Sequence, residues 1–321
     1  AAFFTPNTKF DEAKEIVYVK SDASFNDVLT QLNPLLKDID AFESAAHKKG
    51  YASNVKAGKY MLEKGMNNNA IINTLRSKNV PVKLAFNNQE TLEDLAGRVA
   101  SQIEADSISL LNAFNDSEFL KQNNFNVDTK LAMYIPNSYE FFWNTSAIKF
   151  RDRMLKEYQR FWNEQRLVKA QNLKMTPLEV ATLASIVHKE TAKVDERPRV
   201  AGVYLNRLRD GMLLQADPTV IYALKLHSGD FNQVIKRVLY RDLELDSPYN
   251  TYKFGGLPPG PIAMPDITAI DAVLNSEKHD YFYFVANVEN FGYHKFAKNL
   301  AQHNRNKEQY VRWINSQNIN R

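Results

Sequence analysis

A chain of 321 residues is long enough for two or three domains with a sizeable core, and its 44% hydrophobic and 24% charged content is that of an ordinary globular protein. A net charge of only +4, with no Lys/Arg block, excludes a nucleic-acid footprint and fits mild attraction to an anionic surface or polymer. The absence of cysteine excludes disulfides, thiol catalysis and Cys-ligated metal, and no apolar run is long enough to span a membrane.

The opening Ala1-Ala2-Phe3-Phe4-Thr5-Pro6 lacks Met and passes from apolar to polar, which reads as a start just past a removed segment; no signal-peptide pattern is present. Strand-turn-helix units follow. Ile16 to Val19 reads as a strand, Ser21-Asp22 as a turn, and Ser24 with Asp27 caps a helix through Leu32. Tyr60 to Leu62 repeats the strand, Gly65 the turn and Ala70 to Leu75 the helix. Val82 to Phe86, Asn87-Asn88 and Thr91 to Val99 echo the pattern again, without a strict solenoid period. The first two units predict an α+β domain over residues 1–85, and the third leads into a larger domain over 86–321.

Residues 86–175 read as mostly helical and rich in Phe, Tyr and Trp. Tyr134 to Tyr139 must be extended or turned, because Pro136 lacks an amide donor and pushes Ile135 out of helix. Ala147 to Lys169 then reads as one long helix with a solvated face of Arg and Lys.

Residues 176–321 hold the densest features. Thr176 is a good N-cap, Pro177 suits the first helical position, and Glu179 completes a capping box. Val180, Leu183, Ile186 and Val187 fall at helical spacing, and three or four residues further on Glu190 joins the same stripe. Either this glutamate reaches water at a helix end, or it faces the core side and is partly desolvated. Desolvation raises a carboxyl pKa, and a carboxyl protonated near neutrality is what general-acid chemistry needs. A second helix runs from Asp195 to Arg209, with Val200, Val203, Tyr204 and Leu208 on one face and Gly211 ending it. Asp217-Pro218 opens a short helix through Leu224. Residues 247–265 hold five of the twelve prolines and three of the eleven glycines, interleaved with apolar and aromatic residues, so they predict a stiff irregular loop. Asp266 caps a helix to Asn275. Tyr281 to Val285 reads as an aromatic strand, Phe291 to Phe296 as a returning strand with Gly292 near the turn, and Lys307 to Ile314 as the last helix.

Common enzyme signatures are missing: no HExxH, no GxSxG, no phosphate-cradling glycine loop and no dinucleotide fingerprint. The six histidines show no metal-ligand spacing. What remains is an acid in an apolar setting and an Asn/Gln/Tyr-rich set. Amides bind hydroxyl and N-acetyl groups and aromatic faces pack on sugar rings, so glycoside chemistry fits.

Five runs then carry a family resemblance: Leu183 to Thr191; Val203 to Leu208; Leu214 to Tyr222; Tyr249 to Tyr252 with Gly256 to Ile262; and His294-Lys295-Phe296 with His303-Asn304. In order and together they resemble the endolytic murein transglycosylases, the YceG-like family. Val17 to Asp22 is more weakly similar to a LysM opening. The resemblance implies a small LysM-like N-terminal domain followed by a larger mixed α/β catalytic domain, with a helical first half over 86–175 and an active-site core over 176–321. The family cleaves the β-1,4 bond between N-acetylmuramic acid and N-acetylglucosamine within peptidoglycan strands and leaves a 1,6-anhydro end. By resemblance Glu190 is the single catalytic acid/base. No cofactor and no metal are implied.

Other site residues each carry two readings. Gln215 either binds an N-acetyl group or satisfies backbone at a turn. Asp217 either caps the following helix or supports the site. Asn250 orients the sugar or holds the loop, and Tyr252 is a sugar platform or simply packed. Gly256, Pro258, Pro259 and Gly260 shape the loop wall. His294, on an edge strand, lines the cleft or is structural. Two departures stand out: His188 replaces a frequent glutamate, on another helix face than Glu190, and Pro136-Asn137-Ser138-Tyr139 lacks the family's aspartate. The implied partners are peptidoglycan strands and cell-wall synthesis enzymes, with no nucleic acid. The implied location is the extracytoplasmic face of a bacterial inner membrane, the periplasm, with membrane contact through an N-terminal anchor absent from this sequence. Two rivals remain. A hydrolytic muramidase would need a second carboxylate or a positioned water, for which Asp217 is the candidate; a non-catalytic peptidoglycan-binding module would leave Glu190 exposed and unperturbed.

Overall fold

Alternation sets the first strand: in β1 (Lys14–Val19) Val17 and Val19 are buried while Lys14, Ile16 and Tyr18 are exposed. The computed structural model describes residues 3–317, so Ala1 and Ala2 of the opening run lie outside the described residues, as do residues 318–321. Two compact units result. One takes in the chain up to Phe86 together with Leu95–Ala113 and Ser138–Arg151; the other takes in Asn87–Asp94, Phe114–Asn137 and the chain from Asp152 onward.

In the first unit β1 pairs antiparallel with β2 (Gly58–Glu63), Lys14 opposite Glu63 and Val19 opposite Gly58. Between them run α1 (Phe25–Leu32), started by the Ser24/Asp27 capping box, and α2 (Ile39–Lys48), capped by Asp38. The sequence pattern predicts strand, turn and helix here; the structure adds α2, whose buried face of Phe42, Ala45 and Ala46 is mostly alanine and leaves a faint apolar signal. The arrangement is therefore strand–helix–helix–strand, followed by α3 (Asn68–Ser77) with Asn67 as its cap. Val17, Leu32, Phe42, Tyr60, Leu62 and Ile71 share one core. β3 (Pro81–Phe86) pairs with β4 (Asn137–Phe142), which Pro136 directly precedes.

Between these strands lie α4 (Leu92–Ala100), α5 (Ser107–Phe114) and α6 (Ser117–Gln122). The single helix expected over 147–169 is two, α7 (Ala147–Phe161) and α8 (Glu164–Asn172). The side chain of Asn163 accepts from the Arg166 amide, taking an orphan donor that a continuous helix would not offer, so the chain restarts there.

The second unit is built around α9 (Pro177–Glu190), which begins with the expected Thr176/Glu179 capping box. It packs against α8, α10 (Arg197–Arg209), α11 (Asp217–Ser228) and α12 (Ile267–Leu274). Neighbours on several sides explain why every residue from Val180 to Val187 is buried. α11 runs past the expected Leu224 to a left-handed Gly229. β5 (Tyr283–Ala286) pairs antiparallel with β6 (His294–Ala297). The expected strand from Phe291 is shortened, because Gly292 turns at φ +86° and the Asn287 side chain accepts from the Glu289 and Asn290 amides. α13 (Leu300–Ser316) starts earlier than expected, at the Asn299 cap. Among the described residues no helix is long and apolar enough to cross a membrane.

Candidate active site

Glu190 is the last residue of α9 and lines an open cleft of about 370 Å³. Its Oε1 accepts a hydrogen bond from the Tyr204 hydroxyl at 2.7 Å. Burial among protein atoms, aided by the charge of Asp217, raises the Glu190 pKa to about 7, against the opposing pull of the Tyr204 hydrogen bond and of His294. Tyr204 is itself buried, and burial with the Glu190 charge beside it holds its hydroxyl well above the usual range, so it remains a donor. The helix-end and apolar-stripe readings of Glu190 thus meet: the residue ends a helix and keeps some access to the cleft, yet sits where its charge is disfavoured.

One wall comes from Leu214, Gln215, Asp217 and Tyr252. Gln215 adopts φ +49°, an uncommon conformation for a side-chain-bearing residue, and is held there because its amide donates to Thr251 O while the Ala216 amide donates to Thr251 Oγ1. Its side chain is exposed at the cleft. Asp217 does not act as a side-chain cap: it is the first residue of α11, whose N-cap Ala216 offers no side-chain bond, and its carboxylate accepts from the Tyr252 hydroxyl. Burial and the Asp217 carboxylate push the Tyr252 hydroxyl upward as well.

Two expected contacts fall elsewhere. Asn250 is 0% exposed, and its amide donates to the carbonyls of Leu243 and Leu245 while its Oδ1 accepts from the Tyr252 amide. The side chain is fully used in holding the loop, so of its two readings only the loop role stands. The stiff 247–265 loop reaches the cleft through Tyr252; its Gly256, Leu257 and Pro258 line a separate groove with Met175 and Leu208. His294 also does not line the Glu190 cleft. Its Nδ1 lies 2.8 Å from Glu196 Oε2 and its amide donates to Glu196 Oε1.

This histidine belongs to a closed ring of contacts behind the acid. Thr191, next to Glu190, donates its hydroxyl to Glu196 Oε2 at 2.9 Å, and Arg197 Nε donates to the Thr191 carbonyl at 3.2 Å. His294 stands edge-on to Phe284, and Phe284 edge-on to Tyr204, which returns to Glu190. Burial pushes the Glu196 carboxyl up, but the hydrogen bonds from His294 and Thr191 together hold it below its usual range. Glu196→Gln removes the charged acceptor of this clamp. The expected result is a roughly tenfold lower kcat for glycan cleavage with KM little changed, and a cost of about 1–3 kcal/mol in urea unfolding; an unaltered kcat would show that the clamp does not position Glu190. His188 Nδ1 accepts from the Asp266 amide at 3.3 Å, and the Asp266 carboxylate, 3.6 Å from that nitrogen, lies 3.5 Å from Arg197 Nη1.

The remaining wall is made by Arg207 of α10, Phe282 to Phe284, and His303, Asn304 and Lys307 of α13. Gly202 and Asn206 place it: a Cβ at Gly202 would lie 2.5 Å from Glu277 O, and the Asn206 amide donates to the carbonyls of His279 and Tyr281. One face of α10 therefore docks the segment leading into β5. Periodicity assigns Tyr204 only to an apolar face and gives Arg207, Glu196, His303 and Lys307 no role. The available signal was chemical: a tyrosine on a buried face needs a partner for its hydroxyl, and a buried arginine needs acceptors.

The YceG-like family model matches residues 17–309. An endolytic murein transglycosylase of Bacillus subtilis is 33% identical over 296 residues, covering 87% of this chain and 79% of that protein. An endolytic murein transglycosylase of Streptococcus pneumoniae is 31% identical over 304 residues and 84% of this chain; the chain spans about half of that relative, 53% of its length. A crystal structure of a YceG-like protein from Listeria monocytogenes superimposes with a TM-score of 0.61 at 31% identity, covering 91% of this chain and 98% of that one. With the family model matched over most of its length, this chain belongs to the YceG-like family.

Proposed function

We propose that this chain is a peptidoglycan lytic transglycosylase, cutting the β-1,4 bond between N-acetylmuramic acid and N-acetylglucosamine within glycan strands. The observation that carries the reading is the Glu190 carboxyl, raised to about 7 by burial, hydrogen-bonded by Tyr204 and open to a cleft. The names of its relatives, endolytic murein transglycosylases, point the same way. In the proposed reaction Glu190 gives its proton to the glycosidic oxygen as the C1–O bond breaks. The muramic acid C6 hydroxyl then bonds to C1, and the Glu190 carboxylate takes the hydroxyl proton. The acid is restored, no water is consumed, and one group with a pKa near working pH serves both steps. Gln215 and Tyr252 face the cleft as sugar contacts, with Asp217 held by Tyr252.

A hydrolytic muramidase is the second reading, favoured by one observation: Asp217 lines the same cleft, and its charge is felt at Glu190. Mass analysis of digested strands separates the two. Transglycosylation is expected to give muramic acid ends one water lighter than hydrolysed ends; products made only of the heavier ends would overturn it. The strand–helix–helix–strand part of residues 1–85 is assigned as a LysM-like glycan-binding domain preceding the catalytic one. With peptidoglycan as the proposed substrate, the proposed place of action is the extracytoplasmic side of the membrane.

A further inference from the structure

The cleft lining carries both signs of charge: Glu190 and Asp217 are its acids, Arg207 and Lys307 its cations, with His303 beside them. Arg207 and His303 both pack on the Tyr283 ring, so they form one cluster. Arg207 is 8% exposed and, among the described residues, pairs with no carboxylate. Its Nε donates to Phe282 O at 2.7 Å and its Nη1 to Leu213 O at 2.8 Å, while the guanidinium lies 4.9 Å from the centre of the Tyr283 ring. These contacts fix the plane of the fork and leave Nη2 without a protein partner among the described residues. Burial pulls the Arg207 pKa down, yet a guanidinium stays charged in proteins. A desolvated cation with no counter-charge is costly to keep, and a pre-oriented guanidinium suits a carboxylate better than a sugar hydroxyl. His303 stacks on the same Tyr283 ring at 4.9 Å, and its Nδ1 is buried without a partner. Burial and the charges of Lys307 and Arg207 hold His303 below its usual range, so it adds a neutral hydrogen-bonding group rather than a third repelling cation. Lys307, one turn further along α13, is exposed and forms no ion pair among the described residues.

We infer that this basic cluster receives a carboxylate carried by the muramic acid of the substrate, and so sets which glycosidic bond lies over Glu190. The inference rests on the peptidoglycan reading above. Along such a strand the N-acetylglucosamine units are neutral and only the muramic acid units bear carboxylates, on the peptide stem or, once the stem is removed, on the lactyl group. A cation at a fixed place in the cleft therefore distinguishes two otherwise similar sugars and gives the strand a register.

Three soluble strands test this by calorimetric affinity with the full chain: stems with free carboxylates, the same stems amidated, and strands stripped of stems. Free-stem strands are expected to bind about five- to tenfold tighter than amidated ones, as for a charge-assisted pair at a partly open site. Lys307→Gln and Arg207→Gln are each expected to shrink that ratio toward one. Arg207 also holds the carbonyls of Phe282, Leu213 and Leu214, so the exposed Lys307→Gln carries the test if the arginine variant misfolds. Stripped strands that bind as tightly as free-stem strands show that the cations accept the lactyl carboxylate as well as those of the stem; stripped strands that bind like amidated ones confine the contact to the stem. Equal affinity for all three, or a ratio undiminished in Lys307→Gln, overturns the inference. Affinity is read apart from the mass of the cleaved ends, so failure of the transglycosylase reading and failure of this one are told apart.

Discussion

Replacing Glu190 with glutamine is expected to lower glycan cleavage by about 10²–10⁴-fold while leaving the fold intact and making it more stable at neutral and alkaline pH. Glutamine keeps the shape and can still accept from Tyr204, but has no proton to give the leaving oxygen. The stability effect follows from linkage. The native carboxyl, raised from 4.5 to about 7, binds a proton more tightly than the unfolded one. Stability therefore falls as pH rises through that window, and the cost is fully present above it and absent below it. Glu190→Gln removes the cost, a gain of about 1–3 kcal/mol in urea unfolding near pH 8 and little near pH 4. In the parent protein cleavage declines above about pH 7, where the acid form is lost. Near-parental cleavage by the variant would sink the assignment of Glu190, and a gain equal at both pH values would sink the account of its burial.

Gly260→Ala is expected to have the largest effect on stability in the proline-rich loop, about 3 kcal/mol or more. A Cβ at Gly260 would lie 1.8 Å from Asp128 O and 2.6 Å from its carbonyl carbon, backbone atoms that cannot swing aside. Asp128 is fixed in turn, its carboxylate accepting from the buried Tyr249 hydroxyl at 2.9 Å. Gly256 is the contrast. It adopts φ +78°, and a methyl group added there would meet nothing within 4 Å. Gly256→Ala therefore bears only the left-handed backbone cost, about 1–2 kcal/mol. Urea melts of the two variants compare close approach with dihedral strain; equal costs would show that Asp128 yields and that the contact is not what selects glycine at 260.

What could be read without coordinates was local. The capping boxes at Ser24/Asp27 and Thr176/Glu179 join groups three residues apart, and both form as expected. The apolar stripe of α9 and the position of Glu190 at its end follow from helical period alone, and the motif runs shared with the YceG-like family add the chemistry. Where side-chain competition is equally local but weakly marked, as at Asn163 between α7 and α8, the pattern ran on past a real break.

Tertiary structure decided which of several equally plausible polar residues meets the cleft. Asn250 and Tyr252 stand two apart on one loop. Only the carbonyls of Leu243 and Leu245, brought against Asn250 by folding, direct that amide inward and leave Tyr252 for the cleft. His294 and His303 are likewise alike in sequence, yet Glu196 claims the first while Tyr283 stacks the second into the cleft wall. Tyr204 lies fourteen residues beyond Glu190, on another helix, so their hydrogen bond exists only because α9 and α10 pack. Sequence alone determines contacts whose partners lie within a helical turn, since backbone geometry brings them together whatever else the chain does. The pKa of Glu190 and the basic cluster of the cleft depend on neighbours from distant segments, and those are supplied by burial of the apolar faces that dock α9, α10 and the segment before β5.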